Sequence, residues 1–215
     1  MKSFFVLAAF VACLLVNPAA ARAQSPTGPD EPPRLEVGVH FATLTLTPSE
    51  GYRSEIGFGG RFTVNLNDHL ALEAETNFFP NSGRSAEPRA SGRAVQGLFG
   101  VKAGRRWEKF GLFAKARPGF VSFNRGSIVP DPAQSTSPFS VFNEKRATHF
   151  ATDVGGVIEL YVTRRWMARF DVGDTMIRYG EQNIPNLFPP PANFTIPKEL
   201  RHNLQVNAGI GYRFD

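Results

Sequence analysis

Hydrophobic and polar residues alternate along most of the chain, and the alternation is clearest near the C-terminus. From Leu204 to Phe214 every second residue is apolar, and the residues between them are polar or glycine. This period of two predicts β-strands, because successive side chains of a strand point to opposite faces. The pattern predicts eight strands in all: Leu35–Thr45, Ile56–Leu66, Leu70–Phe78, Val95–Ala103, Phe110–Phe123, Phe150–Val162, Trp166–Tyr179 and Leu204–Phe214.

Two of the predicted strands change phase part of the way along. In the fifth strand the apolar positions shift at Pro118-Gly119, so that Val121 and Phe123 join the apolar face. In the seventh strand Gly173 is followed by a similar shift. Glycine or proline at a change of phase is typical of a β-bulge, and we therefore predict a bulge at each position.

The connections between the predicted strands alternate in length. Short connections occupy residues 67–69, 104–109 and 163–165, and long polar ones occupy residues 47–53, 80–93, 124–147 and 180–201. Short turns at one end and long loops at the other are typical of a transmembrane barrel. The sequence therefore predicts an all-β fold, an eight-stranded antiparallel up-and-down transmembrane β-barrel with short periplasmic turns and long outer loops.

The first 33 residues differ from the rest. Residues 1–23 combine a basic start, an apolar run and small residues ending at Ala23, which predicts a cleaved signal peptide and export. A lipoprotein acylated at Cys13 is the competing interpretation, which the leader-like residues after Cys13 disfavour. Residues 24–33 are proline-rich and predict an extended linker, and residues 34–215 are predicted to form the barrel.

The polar faces of the predicted strands carry charge of both signs and many glycines. A soluble lipocalin-like barrel would place these faces in water, where glycine has no advantage. In a narrow transmembrane barrel they would line the lumen, where glycine makes room for long side chains. We therefore predict that the apolar faces contact lipid and that these charged residues are paired inside: Glu36, Glu55, Glu73, Glu75, Asp153, Glu159, Asp171 and Asp174 with Arg61, Lys102, Lys115, Arg117, Arg169, Arg178 and Arg213.

With its leader, eight alternating strands and aromatic final strand, the chain resembles the OmpA-type outer-membrane β-barrel family. The resemblance covers residues 34–215 and implies a location in the outer membrane of a Gram-negative cell envelope. It also implies that the assembly machinery recognises the final strand, Leu204–Phe214. Some barrels of this size are enzymes that modify lipid A with a His-x-Ser pair, but this sequence contains no such pair.

Composition adds little to this picture. Without Lys2 and Arg22 of the leader, 22 basic and 19 acidic residues remain, and this mild excess with no basic run does not predict nucleic-acid binding. Glu73 and Glu75 share a face, as do His149 and Asp153, but two residues are too few for a metal site, and paired lumen charges are the simpler interpretation. We predict no catalytic, cofactor-binding or metal-binding residue and no enzyme activity.

Three functions remain open. The protein is a structural or surface barrel with a lumen filled by side chains, a small-solute pore, or a periplasmic lipocalin-like ligand-binding barrel. The near balance of lumen charges favours the first, because a pore needs a water-filled path. We expect this barrel to be a monomer surrounded by outer-membrane lipid. Any extracellular partner is expected to bind at residues 124–147 and 180–201.

Overall fold

The structure is a computed structural model and describes residues 33–46, 53–80, 88–130, 142–185 and 193–214. The predicted signal peptide and nearly all of the predicted linker lie outside these residues. Ten strands are present in the described part of the chain: β1 (Leu35–Leu46), β2 (Arg53–Asn65), β3 (Leu70–Phe79), β4 (Ser91–Arg106), β5 (Phe110–Pro130), β6 (Phe142–Tyr161), β7 (Trp166–Tyr179), β8 (Gln182–Pro185), β9 (Asn193–Ile196) and β10 (Glu199–Phe214). A short 3-10 turn, Pro88–Ala90, precedes β4.

Eight of these strands form a closed antiparallel barrel in the order β1-β10-β7-β6-β5-β4-β3-β2. The first and last strands close it, with partners running from Leu35↔Phe214 to Thr45↔Leu204. We call the end with residues 66–69, 107–109 and 162–165 the turn end, and the opposite end the loop end. The predicted eight-stranded up-and-down barrel is therefore confirmed. Among the described residues, no helix is long and apolar enough to cross a membrane.

Several strands run further towards the loop end than the sequence predicts. β5 extends to Pro130 and β6 begins at Phe142, so much of the predicted loop 124–147 consists of paired strands. The predicted loop 180–201 contains a second hairpin, formed by β8 and β9, and the start of β10. Beyond the bilayer neither face of a strand contacts lipid, so the alternation that predicts strands fades although backbone pairing continues.

The two predicted β-bulges are wrong. The β5–β6 register is unchanged across Pro118 and Gly119, and both ladders of β7 keep one register across Gly173. The register instead shifts in β4 between Ser91 and Ala94, where Gly92 has a φ of 80°, and in β5 between Phe123 and Ser127. A glycine with positive φ is typical of one form of β-bulge, so Gly92 accounts for the register shift in β4.

The outer wall of the barrel is apolar. Large hydrophobic side chains stand exposed on seven of the eight barrel strands, all except β3, and Phe41 is the most exposed of them at 73%. At the turn end Trp107 stacks on Phe110 with ring centroids 4.7 Å apart, and Trp166 packs edge-on against Tyr212 at 5.2 Å. An apolar band bordered by aromatic residues is the lipid-contacting surface of a membrane barrel. This arrangement is the reverse of the one expected for a lipocalin-like barrel.

Candidate functional site

The interior of the barrel is the candidate site, because most of the charged residues of the strands converge there. Thirteen of the fifteen charges predicted to face the lumen do so, and Lys102, Arg117, Asp153 and Glu159 have none of their surface exposed. The prediction is wrong for the other two, Asp174 and Arg178. Because β7 has no bulge at Gly173, these two side chains point outward.

At the turn end, Glu36 of β1 collects the first set of contacts. Its Oε1 accepts hydrogen bonds from the Asn65 side-chain amide at 2.9 Å and from Arg106 at 3.3 Å. Arg213 lies 3.9 Å from the same oxygen, and its guanidinium covers the Tyr161 ring at 4.3 Å. The sequence predicts a turn at Arg106, but β4 continues to this residue and directs it inward. This missed arginine adds a positive charge to the lumen.

One layer further in, two ion pairs connect distant strands. Arg169 of β7 forms a bidentate pair with Glu73 of β3, which stands four strands away around the barrel. Lys102 pairs with Glu159 and lies 3.7 Å from Glu73. Arg169 also donates from Nε to Asp171 at 2.7 Å. Each carboxylate here therefore contacts more than one cation.

Arg117 of β5 is at the centre of the next layer. It donates from Nη1 to Glu75 at 2.6 Å and from Nη2 and Nε to Asp153 at 2.6 and 3.1 Å. Lys115 holds the same Asp153 at 2.9 Å, and Arg61 lies 3.6 Å from Glu75. The sequence predicts that lumen charges of opposite sign pair inside the barrel, and the contacts of Arg117 with Glu75 and Asp153 agree with this. The charged residues of these three layers form the lumen network: Glu36, Glu73, Glu75, Asp153, Glu159 and Asp171 with Arg61, Lys102, Arg106, Lys115, Arg117, Arg169 and Arg213.

A layer of side-chain amides follows the lumen network towards the loop end. Asn77 donates to Glu75 at 2.9 Å and to Gln96 at 2.7 Å. Gln96 in turn donates to Gln205 across the barrel at 2.9 Å, and Thr175 donates to the same Gln205 oxygen at 2.8 Å. Gln96, Gln205 and Thr175 have no exposed surface. This amide layer therefore closes the lumen with neutral hydrogen bonds.

The loop end of the lumen is apolar, which the sequence interpretation missed. Phe123 is 1% exposed, and Val121 and Ile177 are not exposed at all. They point inward because β5 and β7 keep their register, whereas the predicted bulges would have turned them to the lipid. With their neighbours they form the apolar plug: Ala42, Leu44, Leu46, Phe79, Ala90, Ala94, Val121, Phe123, Ala151, Ile177 and Tyr179.

Arg89, from the 3-10 turn before β4, covers the plug. Its side chain donates to the backbone oxygens of Gly180 at 3.1 Å and Pro197 at 2.8 Å, and its guanidinium lies 5.1 Å from the centre of the Tyr179 ring. Its own backbone oxygen is 3.2 Å from Nε2 of His149. One buried arginine thus connects the chain segment before β4 with the segments on both sides of the β8–β9 hairpin.

The two side-chain pairs considered for chemistry both have structural partners. Glu73 and Glu75 are held by the arginines of the lumen network. His149 contacts the Arg89 backbone and packs 4.7 Å from the Tyr179 ring, whereas Asp153 pairs with Lys115 and Arg117. Within the described ranges, no group of three or more potential metal ligands occurs. The interior arrangement balances charge and fills space.

The filled interior and the apolar outer wall define a transmembrane β-barrel protein. A family profile described as "Outer membrane protein beta-barrel domain" matches residues 7–214, and the chain belongs to this family. Outer-membrane location follows from the family. No curated protein sequence matches the chain significantly.

Solved structures of similar fold come from several bacteria. The neisserial surface protein A is 12% identical with a TM-score of 0.49, and the match covers 84% of this chain and 97% of that one. The N-terminal β-barrel domain of Pseudomonas aeruginosa OprF is 11% identical with a TM-score of 0.44, over 85% and 99%. The attachment invasion locus protein Ail of Yersinia pestis is 10% identical with a TM-score of 0.44, over 85% and 99%.

Proposed function

We propose that the protein is a non-conducting structural barrel of the outer membrane, exported by its leader at residues 1–23, that displays its outer loops at the cell surface. The observation that carries this proposal is the filling of the lumen at successive depths. Arg117 in the lumen network, Gln96 in the amide layer and Val121 in the apolar plug all have no exposed surface. An eight-stranded barrel is only wide enough to be filled by side chains, and this sequence supplies them.

The same observation argues against a solute pore and against an enzyme. A solute pore needs a continuous water-filled path, and the apolar plug opposes one because burying an ion there would leave it without partners. Enzyme activity needs an accessible reactive group. The carboxylates of the lumen network instead face arginines and lysines and have little or no exposed surface.

Planar-bilayer recording tests the closed lumen. The purified mature chain should insert without steady single-channel steps, and a sixteen-stranded porin prepared in the same detergent serves as the positive control. Insertion itself is checked by the slower migration of the boiled sample compared with the unheated one on a detergent gel. Large, stable steps from the unmodified protein would contradict the proposal and favour the pore.

The proposed surface display depends on orientation, with the loop end outside the cell. Because the only cysteine, Cys13, lies in the predicted leader, single cysteines can be placed on a cysteine-free mature chain. Lys145→Cys on β6 should react with a membrane-impermeant maleimide on intact cells, and Glu108→Cys in a turn should react only after lysis. The opposite labelling would contradict the orientation and, with it, a role in partner binding for residues 124–147 and 180–201.

The remaining partners follow from the same proposal. The apolar wall would contact outer-membrane lipid, and the final strand, Leu204–Phe214, would be recognised by the assembly machinery. A monomer is the state we propose, because the β1–β10 pairing leaves no open strand edge in the barrel.

A further inference from the structure

A polar pair, a carboxylate and an imidazole, lies on the outer wall of the barrel among side chains that face lipid. Asp174 of β7 and His202 of β10 both point outward, with Oδ2 of Asp174 2.5 Å from Nδ1 of His202. The β-ladder places Asp174 between Val154 and Leu204, which are 44% and 54% exposed. Ionisable side chains on a lipid-facing surface are costly and rare, and they commonly mark a functional site.

The height of this polar pair can be derived from strand geometry. Asp174 is eight residues beyond Trp166, the aromatic residue that begins β7 at the turn end. At about 3.3 Å per residue and a tilt near 40°, it stands about 20 Å above that tryptophan. The apolar band of such a barrel is about 25 Å tall. Asp174 is therefore inside the band, close to its outer edge.

Arg178 stands directly above the polar pair on the same face. It is exposed, and the ladder places it between Phe150 and Leu200, which are 58% and 53% exposed. The same geometry puts it about 30 Å above Trp166, just beyond the apolar band. His202 is paired with Met176, midway between Asp174 and Arg178. The three residues form a polar strip that begins in the apolar band and ends at the headgroup level.

The carboxylate of Asp174 makes two contacts within the protein. Its Oδ1 accepts the backbone N–H of Asn203 at 3.1 Å, and its Oδ2 faces the imidazole of His202. It therefore orients the imidazole ring through Nδ1, and the other ring nitrogen, Nε2, takes no part in this contact. The His202 side chain remains 65% exposed. The imidazole of His202 and the guanidinium of Arg178 thus both face the region where lipid headgroups lie.

We propose that Arg178 and His202 bind the phosphate group of a phosphorylated glycolipid in the outer leaflet, with Asp174 as the positioning residue. Charge complementarity between Arg178 and a phosphate carries the assignment, since hydrogen bonds from a guanidinium to phosphate are among the strong ones. The imidazole of His202 lies on the same strip and supplies a second polar contact. The apolar side chains beside the strip, Val154, Phe150, Leu200 and Leu204, suit the acyl chains of the same lipid. The assignment to the outer leaflet rests on the proposed orientation, with the loop end outside the cell.

Lipid retention in nanodiscs tests the site. The mature chain is placed in phosphatidylcholine discs that contain diphosphorylated lipid A or its phosphate-free counterpart, and bound lipid is counted by native mass spectrometry. The wild type should retain the phosphorylated lipid only. Arg178→Gln and His202→Gln should each reduce retention about tenfold, because each removes one hydrogen bond to the charged phosphate. Asp174→Asn should weaken it less.

Arg93→Gln is the matched control, because Arg93 is also exposed on a barrel strand at the loop end but lies on β4, away from the strip. It should retain lipid as the wild type does. Equal retention of both lipids, or equal loss in Arg93→Gln, would overturn the site. A further result would also overturn it: a wild-type protein that sediments as a dimer while Arg178→Gln sediments as a monomer, because a second copy of the chain would then occupy the strip. Both faces of a disc carry lipid, so failure here is independent of orientation and of conductance.

Discussion

Replacing Arg117 by methionine is the most direct test of how the lumen network stabilises the barrel. The substitution removes three hydrogen bonds, one to Glu75 and two to Asp153. Removing one partner of a buried ion pair costs about 3–5 kcal/mol, because the remaining charge stays buried. Both carboxylates keep a second cation, Arg61 for Glu75 and Lys115 for Asp153. We therefore expect a loss of about 3 kcal/mol, at the lower end of that range.

The measurement is reversible urea unfolding of the barrel in lipid vesicles, followed by the fluorescence of Trp107 and Trp166. A loss of this size should lower the midpoint by roughly 1 M urea or more. The control is the double variant Arg117→Met with Glu75→Met, which removes a cation and an anion together. It should recover part of the loss, because an apolar pair of similar size can replace a buried ion pair at little cost.

Two results would refute the reasoning. If Arg117→Met unfolds within about 1 kcal/mol of the wild type, water or lipid headgroups must solvate the two carboxylates, and the lumen is not closed at this depth. If the double variant is as unstable as the sum of its single variants, the Arg117–Glu75 contact contributes no coupling. Loss of stability with no gain of conductance is the expected combination.

Two further predictions concern a lumen glycine and the loop end. Gly173→Ala should destabilise the barrel by about 1–3 kcal/mol in the same urea experiment, because the added Cβ would lie 2.6 Å from Oδ1 of Asp153. The control, Gly60→Ala, should be nearly neutral because its Cβ would come no closer than 3.8 Å to another atom, and equal effects of the two substitutions would count against the packing argument. Arg89→Gln should speed tryptic cleavage after Lys198, because Arg89 holds the neighbouring Pro197 oxygen; unchanged cleavage, with Arg93→Gln as the control, would mean that the contact does not order this segment.

The membrane made the fold predictable from the sequence. Lipid requires an apolar residue at every second position, so the strands and thirteen of the fifteen lumen charges could be assigned from alternation alone. The assignment failed near the loop end of β5 and β7. There the wall leaves the lipid and the interior becomes apolar. The strands keep their register, and Val121 and Ile177 therefore point inward while Arg178 points outward. In the sequence this exchange of polarity between faces has the same pattern as a bulge.

The site residues that sequence analysis missed depend on contacts between distant segments. Arg89 lies in a predicted loop, and its burial depends on Tyr179, Gly180 and Pro197, which are about 90 to 108 positions away in the chain. Arg106 lies in a predicted turn and faces inward only because β4 is longer than its apolar pattern. No local pattern marks either residue, because arginine is common in exposed connections.

The polar contacts that cross the lumen also have a consequence for folding. Arg169 and Glu73 are 96 residues apart, and Asn207 and Glu75 are 132 apart, on strands that meet only when the barrel is closed. A sheet that still lacks β7 and β10 would expose these charged groups without their partners. Contacts of such high sequence separation form late and slowly. We therefore expect a cooperative final step, in which the arrival of β10 closes the wall and pairs the charges together, and no stable half-barrel before it.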